Sequence, residues 1–220
     1  MTRLEMQTHV IGVTGRTDKA ALIPTLLNFA QVELVKRHDY RDLRKISAAL
    51  ELAADATSIT LPAGTRDVLH VTMKINGDVL HPVIRSSDFV FETMPTMDAT
   101  VKGNPHTVYI QGTELRLFPT NLTAGTIQYI YRTWPTPMAT DAAVPEIAGS
   151  EDTLCSFAIA EIFRITGMLE DSRIWHDRYR ESAVYLERAD DRKSTVFQKD
   201  VTTGQGNSLS RNVNNFFNRS

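Results

Sequence analysis

Six histidines, one cysteine and a glutamate inside a helical pattern are the side chains of this 220-residue chain best placed to do chemistry. His9, His38, His70, His81, His106 and His176 are scattered, with no H-x-H or H-x-x-x-H pair to aim two imidazoles at one ion. His70, His81 and His106 fall in strand-like segments and could converge on a sheet, where solvated or hydrogen-bonded imidazoles are the simpler reading. Cys155 stands alone, which excludes an internal disulfide framework and a cysteine-built zinc site. It lies beside an apolar helical face, where a thiol behaves as a small buried hydrophobe. Glu161 projects near the same stripe, a setting that shifts a carboxyl toward acid–base work. A structural pairing with Arg164 or Arg178 accounts for it better. Residues 12–17, Gly-Val-Thr-Gly-Arg-Thr, look like a phosphate loop but lack its Gly-Lys-Ser/Thr ending and a preceding strand. They read as a flexible lead-in. No catalytic residue, metal site or cofactor is predicted.

The one concentrated basic stretch is Lys36, Arg37, Arg41, Arg44 and Lys45, interrupted by Asp39 and Asp42. Basic side chains there could touch nucleic-acid phosphates. With the acids interleaved and no aromatic platform beside it, a solvated or salt-bridged surface is expected. The whole chain carries 24 Lys and Arg against 26 Asp and Glu, a formal charge of −2, so it is no generic polycation. Hydrophobic content of 42% with 23% charged residues is globular. The first sixteen residues hold no apolar run with a charged leader, and no window approaches the roughly 18 apolar residues of a membrane span. A soluble protein made in the cytosol, without a membrane segment, is expected.

The elements that position these residues follow from periodicity. Residues 17–38 predict a helix, with Leu22, Ile23, Leu26, Leu27, Ala30 and Leu34 on one arc, Thr17 or Asp18 as N-cap and Pro24 near the start. Val32 and Val35 fall outside that arc, which points to a second covered face. Residues 43–52 suit helix or strand equally. Residues 58–61 form a short strand before Pro62-Ala63-Gly64. Residues 68–75 alternate toward Asn76-Gly77, the strongest two-residue hairpin signal, and 79–84 return. Further strands are expected at 107–111, 115–118 and 126–134, with breaks at Gly112-Thr113 and Pro119-Thr120-Asn121. A proline-containing linker, 134–149, leads to Ser150, an N-cap followed by Glu151 and Asp152. Leu154, Phe157, Ala158, Ile162, Ile165 and Leu169 then follow helical spacing. A second helix begins near Asp171 or Ser172, carrying Trp175, Tyr179, Leu186 and Ala189 on one face.

The predicted fold class is α+β: a helical bundle built from an N-terminal helix and a C-terminal helical hairpin, with an inserted small antiparallel β domain. The domains are 1–43 with 144–193 for the helices, 44–143 for the β insertion and its linker, and 194–220 for an extended C-terminal arm. That arm is rich in Asn and poor in aliphatics, so it cannot offset its ordering entropy with a core. Its spaced bulky residues, Val196, Phe197, Leu209, Phe216 and Phe217, have the form of anchors for pockets on a partner, with an ordinary frayed tail the equal alternative from composition alone.

This order of elements, with particular residues, resembles the head–tail adaptor (connector) family of tailed phages, the group that includes podophage tail tubular protein A. One part of the likeness is Leu26-Leu27-Asn28 and Ala30, then Arg41-Asp42-Leu43 and Leu61-Pro62-Ala63. A second is Gly103, Asn104-Pro105, Tyr109, Gly112, Leu115, Leu117 and Pro119, ending with Tyr129 and Tyr131. A third is Val144-Pro145 before Ala158, Ala160-Glu161, Gly167 and Tyr179. Together they span about residues 17–192.

The resemblance implies a non-enzymatic virion protein at the portal vertex, made and assembled in the host cytoplasm. It implies a homo-oligomeric ring, commonly of twelve copies, beneath the portal protein and in contact with tail or nozzle proteins. The ring would continue the channel through which genomic DNA passes without sequence-specific binding. In that setting Phe29, Val32, Val35 and Trp175 are the expected subunit interface. Lys36, Arg37 and Arg41 are expected near the DNA channel, and the five arm residues at the portal. The alternative from another class is a β-sheet binding module that recognises carbohydrate or a protein partner through the hairpin at 68–84.

Overall fold

The computed structural model describes residues 1–88 and 101–203, those after 192 by backbone alone. The chain opens with a helix where an irregular lead-in was expected: α1, Arg3–Thr14. Its start is a reciprocal capping box. The Glu5 N–H donates to Thr2 Oγ1 at 3.3 Å, and the Thr2 N–H donates to Glu5 Oε2 at 2.7 Å. Its end is Gly15 at φ 66°, whose N–H donates to the Ile11 carbonyl at 2.8 Å. Met6 and Val10, one turn apart, are fully buried.

After a single 3₁₀ turn at Thr17–Lys19, helix α2 runs Ile23–Arg37 and buries Ile23, Leu27, Ala30, Gln31, Leu34 and Val35. The predicted N-caps Thr17 and Asp18 belong to the preceding turn. The helix starts instead at Leu22 without a side-chain cap, with Pro24 in its first turn, where a missing N–H costs no helical bond.

A second 3₁₀ turn, Arg41–Leu43, leads into eleven strands among the described residues. They are β1 Arg44–Ile46, β2 Leu50–Leu52, β3 Ser58–Thr60, β4 Thr65–Ile75, β5 Asp78–Leu80, β6 Val83–Arg85, β7 Lys102–Gly103, β8 Thr107–Gln111, β9 Glu114–Phe118, β10 Thr120–Asn121 and β11 Gly125–Thr133. One sheet has the order β1-β11-β4-β5, with β2 also on β11. A second has the order β3-β9-β8-β6, and β7 pairs with β10. The expected hairpin is present, with Asn76 at φ 53° and Gly77 at φ 90° as a primed turn demands. Its return strand divides, however. β5 stays on β4, whereas β6 crosses to β8 and pairs with it in parallel. The β7–β10 pair is parallel too, so the β part is mixed rather than purely antiparallel. The ambiguous 43–52 stretch resolves as two three-residue strands, both on β11.

Helix α3, Glu151–Ile165, and helix α4, Leu169–Thr203, form the predicted hairpin. Ser150 occupies the N-cap position but donates its hydroxyl to the Ile147 carbonyl at 2.7 Å instead of capping. Two hydrophobic clusters result. One joins α1, α2, α3 and α4 through residues such as Met6, Leu27, Leu34, Ala158, Ile162, Tyr179 and Leu186, and draws in Met138 and Ile147 from the linker. The other fills the space between the sheets with Leu52, Val71, Met73, Val108, Leu115, Ile127 and Tyr129.

Charges tie the two together. Arg66 Nη1 on β4 donates to the Val35 carbonyl at 2.9 Å, capping the electronegative end of α2. Arg132 on β11 pairs with Asp39 just beyond α2 and with Asp67 on β4, the latter at 2.6 Å.

Candidate interaction surfaces

The surface begins with the outward side of α2. With Leu27, Ala30 and Leu34 turned to the core, the 3.6-residue repeat turns Phe29 toward solvent, and it is 51% exposed. Its ring lies 5.9 Å from that of Phe157 on α3, and the Lys36 ammonium sits 5.9 Å from its centroid. Val32 is half-buried. Val35 is 2% exposed inside the helical cluster, so its burial is supplied within the chain. Trp175 on α4 is half-buried against the same cluster, with the Arg178 guanidinium 4.8 Å from its ring centre.

The basic residues at the end of α2 are engaged in pairs. Lys36 Nζ is 2.6 Å from Glu33, and Arg37 Nε is 3.3 Å from Glu187 on α4. The Arg41 N–H donates to Asp190 Oδ1 at 3.4 Å, and His38 Nε2 stands 3.3 Å from the other oxygen of that carboxylate. Burial raises the Tyr40 and Tyr179 hydroxyls above the ordinary phenol value beside this cluster. The salt-bridged reading of the stretch therefore holds for Lys36 and Arg37.

The chemical candidates resolve residue by residue. Glu161 accepts from Arg164 Nη2 at 2.6 Å and Nε at 2.9 Å, and its other oxygen is 3.4 Å from His176 Nε2. That is the structural pairing expected with Arg164; Arg178 goes to Trp175 instead. Cys155 is buried, and burial, with Asp152 and Glu151 nearby, pushes its thiol up to about 12. The glycine-rich 12–17 stretch is the last turn and Gly15 cap of α1, followed by Arg16 and the first residue of the 3₁₀ turn. A helix C-terminus presents carbonyl oxygens, the wrong polarity for a phosphate. His70 and His81 do converge, with ring centroids 5.3 Å apart, while His106 turns to Thr107 Oγ1 at 2.9 Å and to the Phe118 ring. Among the described residues no three His, Cys, Asp or Glu side chains are grouped to hold a metal ion.

Helix α4 supplies a surface that the sequence reading passed over. Ile174 is 65% exposed and Tyr185 71%. Eleven residues make three turns plus about 20°, so the two lie on one line about 16 Å long. Arg178, Glu181, Arg188 and Arg192 share that stripe. Beside it run shallow grooves of about 390 Å³ along Arg173, His176, Asp177 and Arg180, and about 420 Å³ along Glu181, Val184, Tyr185 and Arg188. The signal was present in the sequence as two large apolar residues off the face that carries Trp175, Tyr179 and Leu186. A pattern search for the buried face discards such residues.

Of the arm residues, only those up to Thr203 are described, and these by backbone alone. The α4 backbone continues to Thr203, so Val196 and Phe197 lie on a helix where an extended arm was expected from residue 194. Leu209, Phe216 and Phe217 fall outside the described residues.

The model of the SU10 adaptor protein family matches residues 1–205. The chain belongs to the SU10 adaptor protein family. This supports a phage head–tail adaptor, as the order of motifs implied, without extending to the narrower likeness to tail tubular protein A. The SU10 adaptor match also takes in α1, upstream of the 17–192 stretch that carried the resemblance. Membership makes the chain a phage structural protein that associates with other virion components. No curated protein matches it. Within the described residues of this SU10 adaptor family member, no helix is long and apolar enough to cross a membrane.

Proposed function

We propose that this adaptor works as a ring of identical copies under the portal, joining head to tail and continuing the DNA exit channel. The observation that carries the reading is the outward apolar surface of the helical layer: Phe29 on α2, and Ile174 and Tyr185 along α4, all more than half exposed in the single chain. Large apolar side chains in line on a stable helix gain by burial against a neighbour. A head-to-tail contact between different faces of identical copies closes into a ring when its rotation permits. Phe29, Val32 and Trp175 are the interface residues proposed with them, and Val35 supports α2 from within.

In this reading residues 1–43 and 144–193 build the ring wall and 44–143 form the β insertion. The region 194–220, with Val196, Phe197, Leu209, Phe216 and Phe217, reaches the portal. Twelve copies are proposed, with tail or nozzle proteins on the far side. Lys36, Arg37 and Arg41 are the proposed channel contacts. The pairing of Lys36 and Arg37 with carboxylates suits a conduit, because each unpaired cation on a phosphate would add affinity through counterion release and slow a sliding duplex.

Mass measurement of the chain alone and mixed with portal, followed by electron microscopy of the mixture, tests this. A ring on the portal is expected. A chain that stays monomeric and leaves the portal bare would defeat the proposal.

A further inference from the structure

We infer that His70 and His81 form a bidentate site for a late divalent transition ion on the outer face of the first sheet. This is independent of the adaptor reading. His70 lies on β4 and His81 follows β5 by one residue. The register pairs Met73 with Leu80, and continuing it by one position sets His81 across from Thr72, diagonal to His70. In the alternation of β4, Val71 and Met73 are buried in the sheet core, while His70 is exposed and Thr72 half-exposed. His81 is exposed as well. The two imidazoles thus share the solvent side of a two-strand framework fixed by a primed turn.

The spacing suits chelation. With metal–nitrogen bonds of about 2.0–2.1 Å and a ring centre about 1.1 Å behind each nitrogen, two imidazoles on one tetrahedral ion have centres about 5 Å apart. His70 and His81 stand at 5.3 Å with 34° between their planes. Thr72 Oγ1 lies 3.2 Å from His70 Nε2, the kind of outer contact that fixes a ligand's ring and tautomer. When Nε2 carries the proton, Nδ1 is left as the donor atom. Two neutral nitrogens select zinc, copper or nickel over magnesium or calcium, which prefer oxygen donors. Two ligands leave the remaining positions to water or to a donor from outside the chain.

The test is titration of the full, untagged chain with Zn²⁺, followed by calorimetry and by the NMR signals of the histidine rings. One saturable site is expected, with His70 and His81 moving together. H70A and H81A should each weaken it at least tenfold, and Mg²⁺ and Ca²⁺ should leave both rings unmoved. H70Q and H81Q, which keep polar side chains on the strand, serve as second variants if an alanine disturbs the hairpin. Zn²⁺ binding that survives both pairs of substitutions, or no saturable binding up to millimolar Zn²⁺, would overturn the site.

Discussion

Gly125 begins β11 so close to β4 that a Cβ there would meet the Lys74 carbonyl oxygen at 2.5 Å and Ile75 Cγ1 at 3.0 Å. A backbone oxygen cannot swing aside, so Gly125→Ala must push apart the two longest strands of the sheet. A loss of about 1–3 kcal/mol is expected, read as a lower urea midpoint; an unchanged midpoint would show that the strands part freely. Cys155 makes a second residue-scale prediction. Its folded value of about 12 stands above the ordinary 9.0 because the thiolate is denied water. At pH 9 the unfolded thiol is about half ionised, and the folded one about one part in a thousand. Alkylation by iodoacetamide at that pH should therefore be more than a hundredfold slower in the native chain than in urea. The sign for stability follows from proton counting. Above pH 9 the unfolded chain releases this proton first, so stability falls as pH rises from about 9 toward 12. Rapid native alkylation would place the thiol at the surface instead.

At the scale of elements, the structure shows which signals a single sequence exposes. The long helices and the Asn76-Gly77 hairpin were legible because their cues are local: apolar repeats in one case, left-handed turn residues in the other. Helix α1 was missed although Thr2-x-x-Glu5 and Gly15 bracket it, because its apolar face is narrow: Met6 and Val10 are its only buried residues, while Leu4 and Val13 are exposed, Ile11 is only partly buried, and polar residues and Gly12 separate them. The parallel pairing of β6 with β8 was illegible for a different reason. It joins residues more than twenty positions apart, and nothing near Val83 announces the partner. The surface sites divide in the same way. Glu161 with Arg164 is a neighbour on one helix turn, whereas the Asp39–Arg132–Asp67 junction needs the finished sheet. Because α1 fills the helical core, removing residues 1–15 should strip Met6 and Val10 from it and lower the melting temperature by well over 10 °C. Thr2→Ala alone, which only weakens the capping box, should cost about 1 kcal/mol. Calorimetry of both variants checks the pair. A truncated chain that melts like the full one would demote α1 to an appendage.

For the whole molecule, the separation to be tested is between folding and assembly. Ile174 and Tyr185 contribute little to the monomer because most of each side chain is already in water, and exposed substitutions generally stay within about 0.5 kcal/mol. The same two positions, if buried between copies, would each place a charge in an apolar contact when changed to aspartate, at a cost of several kcal/mol per copy. That cost recurs at every junction of a closed ring, so assembly should fail as a whole rather than weaken gradually. The I174D/Y185D double variant is therefore expected to unfold at the wild-type urea midpoint, within the error of the measurement, and to form no ring on the portal. Arg173→Ala, which alters the neighbouring groove without placing a charge at Ile174 or Tyr185, should still assemble. Rings formed by the double variant would take α4 out of the interface and leave the α2 surface around Phe29 to carry it. A lowered midpoint would show instead that these side chains serve the chain's own fold.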